Sequence, residues 1–454
     1  MNLVSSLYEK LKPKKDLNVR NRELSKRFFN ARNFFQKIGI ILRLYGSYLQ
    51  DIDPVFVFAY RLNLLIKFFR NVSDNKYNRF IIESFRNPFE IDFFRRRYYE
   101  FYLISIYAPF EIRSENYPFI NDKELEILDK IDQGLKDFED LSNNGEDSLI
   151  NFKKFIKKIE KISGFSKEEI KISLPNTALC VDLSDIAISK QDSNNLENFQ
   201  EKLIKYLLLI LSPGCLLPSN DEIYMNIAYL FSLASTCISR KVGAVIVNDD
   251  GYVIGLGFND VNPNQIGCCY RYIRDIKNNS KIFDYGCREH NFYGQPKNIE
   301  FFEFLLNESG FESEEQIEII DIPFCFNEKL SAFFNEKKQF RRIRSLHAEE
   351  NAILQTSKTG GFSLEGSTIY VTTFPCELCA KKIARVGIKR IVYVEPYPKS
   401  LSQKLFFEDN RCVIQVDQFE GVKPHSFYRL YKPIYDKKDL LEIIKIPRLK
   451  NLVV

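Results

Sequence analysis

Two short stretches of this chain hold residue types that bind and activate a metal: His347-Ala348-Glu349 and Pro375-Cys376-Glu377-Leu378-Cys379. The chain has only three histidines, so an imidazole next to an acid, followed by such a thiol pair, is a selective signal. The i, i+3 spacing of Cys376 and Cys379 puts both sulfurs on one face of a helix's first turn. Pro375 suits the entrance to that helix, where a missing N–H costs nothing. The positive end of the helix favours deprotonated thiols. His347 and Glu349 would diverge in mid-helix, so they share a pocket only if His347 opens its own helix. Three protein ligands leave the fourth tetrahedral position to water, the arrangement of a catalytic rather than a structural zinc site. Zinc brings the pKa of such a water to about 7, and Glu349 is the expected proton shuttle. A closed structural site would need a fourth ligand. A redox pair would leave the Glu-Leu between the cysteines and the distant His-Ala-Glu unexplained.

These residues need elements to hold them. Ser219 with Glu222 is a capping-box pattern, predicting a helix to about Thr236. Gly243 to Val247 reads as a buried strand, Asn248 to Gly251 as a turn, and Tyr252 to Gly257 as the returning strand of a hairpin. After a long irregular segment, helices are expected to begin at His347 and near Cys376, with strands at Thr368–Val371 and Lys389–Val394. A helix, a hairpin and then helix–strand units predict a three-layer α/β/α sandwich. Upstream, helical periodicity marks Arg27–Leu44 and Val55–Arg70, and a lysine-rich helix is expected over Ser148–Ile162. A strand is expected at Arg79–Ile82, a helix from Pro88 to Arg97 and a strand at Phe101–Tyr107.

The bulk numbers set limits. At 454 residues, two or three domains are expected, and 45% hydrophobic with 28% charged residues is a globular balance. Apolar runs such as Tyr206–Leu211 fall far short of the ~20 residues that span a bilayer. The first ten residues lack a signal-peptide pattern, so a cytoplasmic protein with no membrane partner is expected. The ten cysteines do not read as a disulfide framework in a chain this long. The net charge of +5 is concentrated near the N-terminus and at Arg95-Arg96-Arg97. These clusters are either solvated helix faces or a surface for phosphates or nucleic acid.

Taken in order, His-x-Glu and Pro-Cys-x-x-Cys resemble the signature of the zinc deaminases. Cys237 to Val247, followed by Gly257-Phe258-Asn259, resembles the nucleotide-binding portion of deoxycytidylate deaminases. That resemblance implies hydrolytic attack at C4 of a cytosine, with Glu349 serving the ring nitrogen N3 and the departing ammonia. It also implies Asn259 on the sugar and Arg240 facing phosphate, although Asp260 stands where the family usually has a glycine.

A wider likeness covers Cys180-Val-Asp-Leu-Ser-Asp-Ile, Pro213-Gly214, Ser239 to Gly243, His347 to Ala352, Pro375 to Lys382 and Glu395 to Pro398. These segments are similar to bacterial antiviral cytidine deaminases, which fuse a P-loop kinase-like half to a deoxycytidylate-type deaminase. Phe80 to Glu90 looks like a late strand and helix of that half. The resemblance implies a dCMP or dCTP substrate, depletion of the pool a phage needs, a regulatory small RNA and a homo-oligomer. No G-x-x-x-x-G-K-[ST] is present, and Gly39 and Gly46 are the only glycines in the first 70 residues. The chain is expected to begin after the phosphate-binding loop, and ATP binding is not expected.

The expected divisions are 1–135 (truncated kinase-like α/β), 136–217 (helical linker), 218–420 (deaminase, with insert 261–342) and 421–454 (C-terminal extension). Within the insert, Cys268, Cys269, Cys287 and His290 either form a second, structural zinc site or are ordinary side chains. Two other readings stand beside the nucleotide deaminase. One is a deaminase of cytosine or adenine in RNA or single-stranded DNA, supported by the basic N-terminus. The other is a silent binding module, against which the intact Glu349 stands.

Overall fold

The computed structural model describes residues 32, 34–46, 53–72, 79–108, 110–116, 120–132, 147–190, 196–272, 344–360, 362–395, 402–407, 414–433 and 437–446, with isolated positions between 300 and 333. The chain forms two units, Met1–Ser212 and Pro213–Val454.

In the first unit, helix α1 covers 34–45, α2 is Val57–Val72 and α3 is Pro88–Arg95. Asn87 caps α3 through its side chain, with Pro88 at the first helical position. Strand β1 (Ile104–Tyr107) and strand β2 (Ile186–Ser189) pair in parallel, Ile104 opposite Ile186. Helices Asp122–Asp132 (α4) and Asp147–Ser163 (α5) contribute Ile127, Ile131, Phe152 and Ile156 to a core that also takes in Ile40 and Leu44 of α1.

The strand expected at Arg79–Ile82 is absent. Residues 79–84 have no regular structure, and Ile81 is 99% exposed. Phe80 and Ile82 instead pack on an aromatic cluster with Phe93 and Phe94. Ser84, at φ 70°, interrupts any extended run there.

The second unit is a layered sheet. Helix α6 (Asn220–Leu233) opens with the expected capping box, in which Ser219 and Glu222 serve each other's backbone N–H groups. Strands β3 (Gly243–Val247) and β4 (Val253–Phe258) form the antiparallel hairpin. Helix α7 (Ala348–Thr359), strand β5 (Thr368–Thr373), helix α8 (Glu377–Arg385) and strand β6 (Arg390–Glu395) follow. Strand β7 (Gln415–Gln418), which no sequence pattern announces, completes the order β4-β3-β5-β6-β7. β3 runs antiparallel to β5, while β5, β6 and β7 are mutually parallel neighbours.

Alternation along the strands divides two cores. Ala244, Ile246, Ile369 and Val371 face α7 and α8, meeting Ala348, Ala352, Ala380 and Ile383. Val245, Val247 and Tyr370 face α6, meeting Met225 and Ala228. Helices therefore cover both faces of one sheet, and the three-layer α/β/α expectation holds. Arg390 fastens the α6 side: it donates to both Asp221 oxygens (2.9 Å each) and to Asp417 of β7 (2.7 Å). No described helix is long and apolar enough to cross a membrane.

Close approach sets where α7 lies. A Cβ on Gly257 would sit 2.1 Å from the carbonyl oxygen of Ala348 and 2.5 Å from the nitrogen of Ala352. Small residues on both elements thus let the backbones touch, and the same contact fixes the start of α7. Gly257→Ala is expected to cost about 1–3 kcal/mol by overpacking, read as a lower urea midpoint for the full chain with a fall in bound metal. An unchanged midpoint and metal content would show that the contact does not position α7.

Candidate active site

The start of α7 and the start of α8 meet over the end of the sheet. His347 is the N-cap of α7 (φ −77°, ψ 157°), so its side chain leaves before the helix begins. Cys376 is the N-cap of α8, and Cys379 lies in the first turn. The imidazole Nδ1 stands 3.3 Å from Cys376 Sγ and 3.4 Å from Cys379 Sγ. Tetrahedral zinc with ordinary Zn–N and Zn–S bonds places such an N and S about 3.6 Å apart. The donor set and spacing therefore fit that ion with little movement. Among the described residues, no other three His, Cys, Asp or Glu side chains converge in this way.

The electrostatics suit ligation. A hydrogen bond from the Cys379 thiol, another from His347 and the Cys379 backbone N–H pull the Cys376 pKa down to about 4, against the cost of burial. Cys379, as the donor of that shared proton and deeply buried, is pushed up. The hydrogen bond to Cys376 raises His347, with burial opposing. Glu349 is 4% exposed, and burial is the main cause that raises its carboxyl above the usual range. A buried acid with a raised pKa next to three side chains that could hold a metal ion is suited to taking up and releasing a proton.

Several supports were not legible in the sequence. Leu346, just before His347, exchanges backbone hydrogen bonds with Asp260 at the end of β4 (2.8 and 3.2 Å). Asp260 is held in turn by Thr236 and by the backbone of Val261. The residue that replaces the family's usual glycine thus anchors the approach to the histidine. Asn351 donates to the carbonyl oxygen of Phe258 (2.7 Å), binding α7 to β4. Lys382 pairs with Glu350, joining α8 to α7. Buried Ser402 donates to the carbonyl oxygen of Pro375 (2.8 Å) just before Cys376. Apart from the adjacent Asp260 and Val261, these partners lie far apart in the chain, so no local pattern announces them.

Asn259 is 8% exposed. Its side-chain oxygen accepts from the Val242 N–H (2.7 Å), and its amide donates to the carbonyl oxygen of Arg240 (2.8 Å). It therefore shapes the 240–242 turn. Arg240, about one-third exposed, has a guanidinium nitrogen 4.0 Å from Glu395. Cys268 and Cys269 are half-buried cysteines of one short turn, neither in a disulfide. Cys287 and His290 lie outside the described residues.

Residues 218–395 match the family model of the cytidine and deoxycytidylate deaminase zinc-binding region. The deoxycytidylate deaminase of Enterobacteria phage T4 is 34% identical over 183 residues, covering 39% of this chain and 78% of the phage protein. This chain belongs to the deoxycytidylate deaminase family. As a family member it is a hydrolase, a cytidine/deoxycytidylate deaminase. The Schizosaccharomyces pombe deoxycytidylate deaminase is 27% identical over 206 residues, 45% of this deaminase and 46% of the yeast protein. Among solved structures, the dCMP deaminase of cyanophage S-TIM5 in complex with dCMP and dUMP is 21% identical, with a TM-score of 0.27; the match covers 45% of this deaminase and 99% of the phage chain.

Proposed function

We propose that this protein hydrolytically deaminates deoxycytidine nucleotides, dCMP, dCTP or both, to the corresponding deoxyuridine nucleotides with release of ammonia. The observation that carries the reading is the convergence of His347, Cys376 and Cys379 beside the buried Glu349. Membership of the deaminase family gives this geometry its substrate class.

His347, Cys376 and Cys379 would hold zinc, which supplies the Lewis acidity that makes water a nucleophile at neutral pH. Glu349 takes the proton from the attacking water and delivers it to N3 of the cytosine ring. The water oxygen bonds to C4; Glu349 then carries the remaining proton of that oxygen to the amino group, and the C4–N bond breaks as the C4 carbonyl forms. Water and the cytosine amine are thereby converted to the uracil carbonyl and ammonia. Asn259 and the 240–242 turn it holds form the wall assigned to the sugar, with Arg240 assigned to phosphate.

The likeness to bacterial antiviral deaminases supports a role in limiting phage replication by draining this nucleotide pool. Relatives of this kind also support assembly of several copies.

Incubation with dCMP, dCTP and a cytosine-containing oligonucleotide, followed by ammonia release, tests the assignment. Turnover of one or both nucleotides, with none of the oligonucleotide, is expected. Turnover of the oligonucleotide alone would sink it.

A further inference from the structure

The first unit contains a cavity of about 700 Å3 that the deaminase reading does not use. This lies within the roughly 300–1,000 Å3 typical of small-molecule sites. Its walls combine two kinds of surface. Phe58 and Phe85 supply aromatic side chains, and four arginines, Arg32, Arg43, Arg61 and Arg86, supply positive charge.

The pairing of these arginines leaves charge and hydrogen-bonding capacity over. Arg43 is already neutralised: its Nε and one terminal nitrogen both donate to Glu90 (3.0 and 2.7 Å), and its guanidinium lies over the Phe58 ring. Arg32 and Arg86 share a single carboxylate, Asp132, at 2.7 and 3.2 Å. Two cations on one anion leave a net positive charge at that wall. Arg61 forms no ion pair or hydrogen bond with the described residues. Glu83, exposed on the lining, is the remaining acid.

Gln36 marks the site as built rather than incidental. It is 5% exposed, its amide donates to Asp132 (2.7 Å), and its Oε1 is a buried acceptor without a partner among the described residues. The Nε of Arg32 is likewise a buried donor without one. Buried polar atoms left unmatched cost stability unless something else matches them. Ser84, also on the lining, is held in the left-handed region that non-glycine residues avoid.

We infer that this cavity binds a nucleoside monophosphate bearing an exocyclic amine. The phosphate meets Arg61 and the Arg32/Arg86 pair, the base lies against Phe58 and Phe85, and the amine donates to Gln36 Oε1. This recognition uses side-chain cations and rings, with no glycine-rich loop. It is independent of the metal-site reading.

Calorimetric titration of the full-length protein with AMP is expected to show a saturable site. IMP, which lacks the amine, adenosine and inorganic phosphate should each bind about tenfold or more weakly. Arg61→Ala, at an exposed position, is expected to weaken AMP by about tenfold while leaving the circular dichroism spectrum unchanged. Gln36→Met should erase the preference for AMP over IMP. Arg240→Ala, at the deaminase site, should leave AMP binding intact. The proposal fails if AMP does not bind at millimolar concentration, or if Arg61→Ala binds it as wild type does. It fails equally if Arg240→Ala, and not Arg61→Ala, abolishes binding, because the ligand would then belong to the deaminase site.

Discussion

Glu349→Gln is expected to reduce kcat for deoxycytidine nucleotides by about 10²–10⁴-fold, the range that a positioned proton-transfer group supplies. The substitution keeps the size and shape of a side chain that is 4% exposed, so the packing of α7 on the sheet should survive. It removes the ability to take a proton from water and return it to N3 and the amine. Bound metal should stay at the wild-type level, because His347, Cys376 and Cys379 are untouched. KM should change far less than kcat if Glu349 acts mainly in the transition state. Steady-state kinetics together with metal analysis separate the outcomes. Near-wild-type kcat would remove Glu349 from the chemistry. Loss of metal along with activity would make Glu349 a structural support.

Cys376→Ser is expected to abolish measurable activity by emptying the site. Cys376 is the sulfur whose pKa is pulled down to about 4, so it is the thiolate most ready to ligate. A hydroxyl at that N-cap is a poor zinc ligand, and two remaining donors do not make a site. Metal analysis should fall from about one ion per chain to background, matching a chelator-treated wild type. Metal loss should also lower thermal stability. A ligand present at about 1,000 times its Kd contributes about 4 kcal/mol, so a lower melting temperature should accompany the lost activity. Adding zinc should rescue the chelated wild type and not the variant. Full metal content and activity in Cys376→Ser would overturn the ligand set.

Much of the second unit was legible in the sequence, because its signals are local. The Ser219/Glu222 capping box, the hairpin turn at Asn248–Gly251 and the helix starts at His347 and Cys376 each rest on residues a few positions apart. The first unit was read less well. The apolar run at Arg79–Ile82 looks like a strand by composition, yet it forms none, with Phe80 and Ile82 drawn onto the aromatic cluster. β7 was missed because Gln415-Val-Asp-Gln418 carries no strong strand pattern. It becomes an edge strand through pairing with β6 and through the Arg390–Asp417 ion pair.

The amino-acid sequence alone determined the chemistry: one imidazole, two thiols at i, i+3 and an acid two residues past the histidine, each at a helix start. Side-chain type and helical period act over a few residues, so they can be read without knowing the fold. Only the tertiary structure decided that the two helix starts meet, with Nδ1 3.3 Å from Cys376 Sγ, and that Asp260, Asn351, Ser402 and the Glu350–Lys382 pair hold them there. It alone showed Asn259 engaged with the 240–242 turn, and a cationic cavity in the first unit. Those features depend on contacts between residues far apart in the chain, which packing creates and no local spacing encodes.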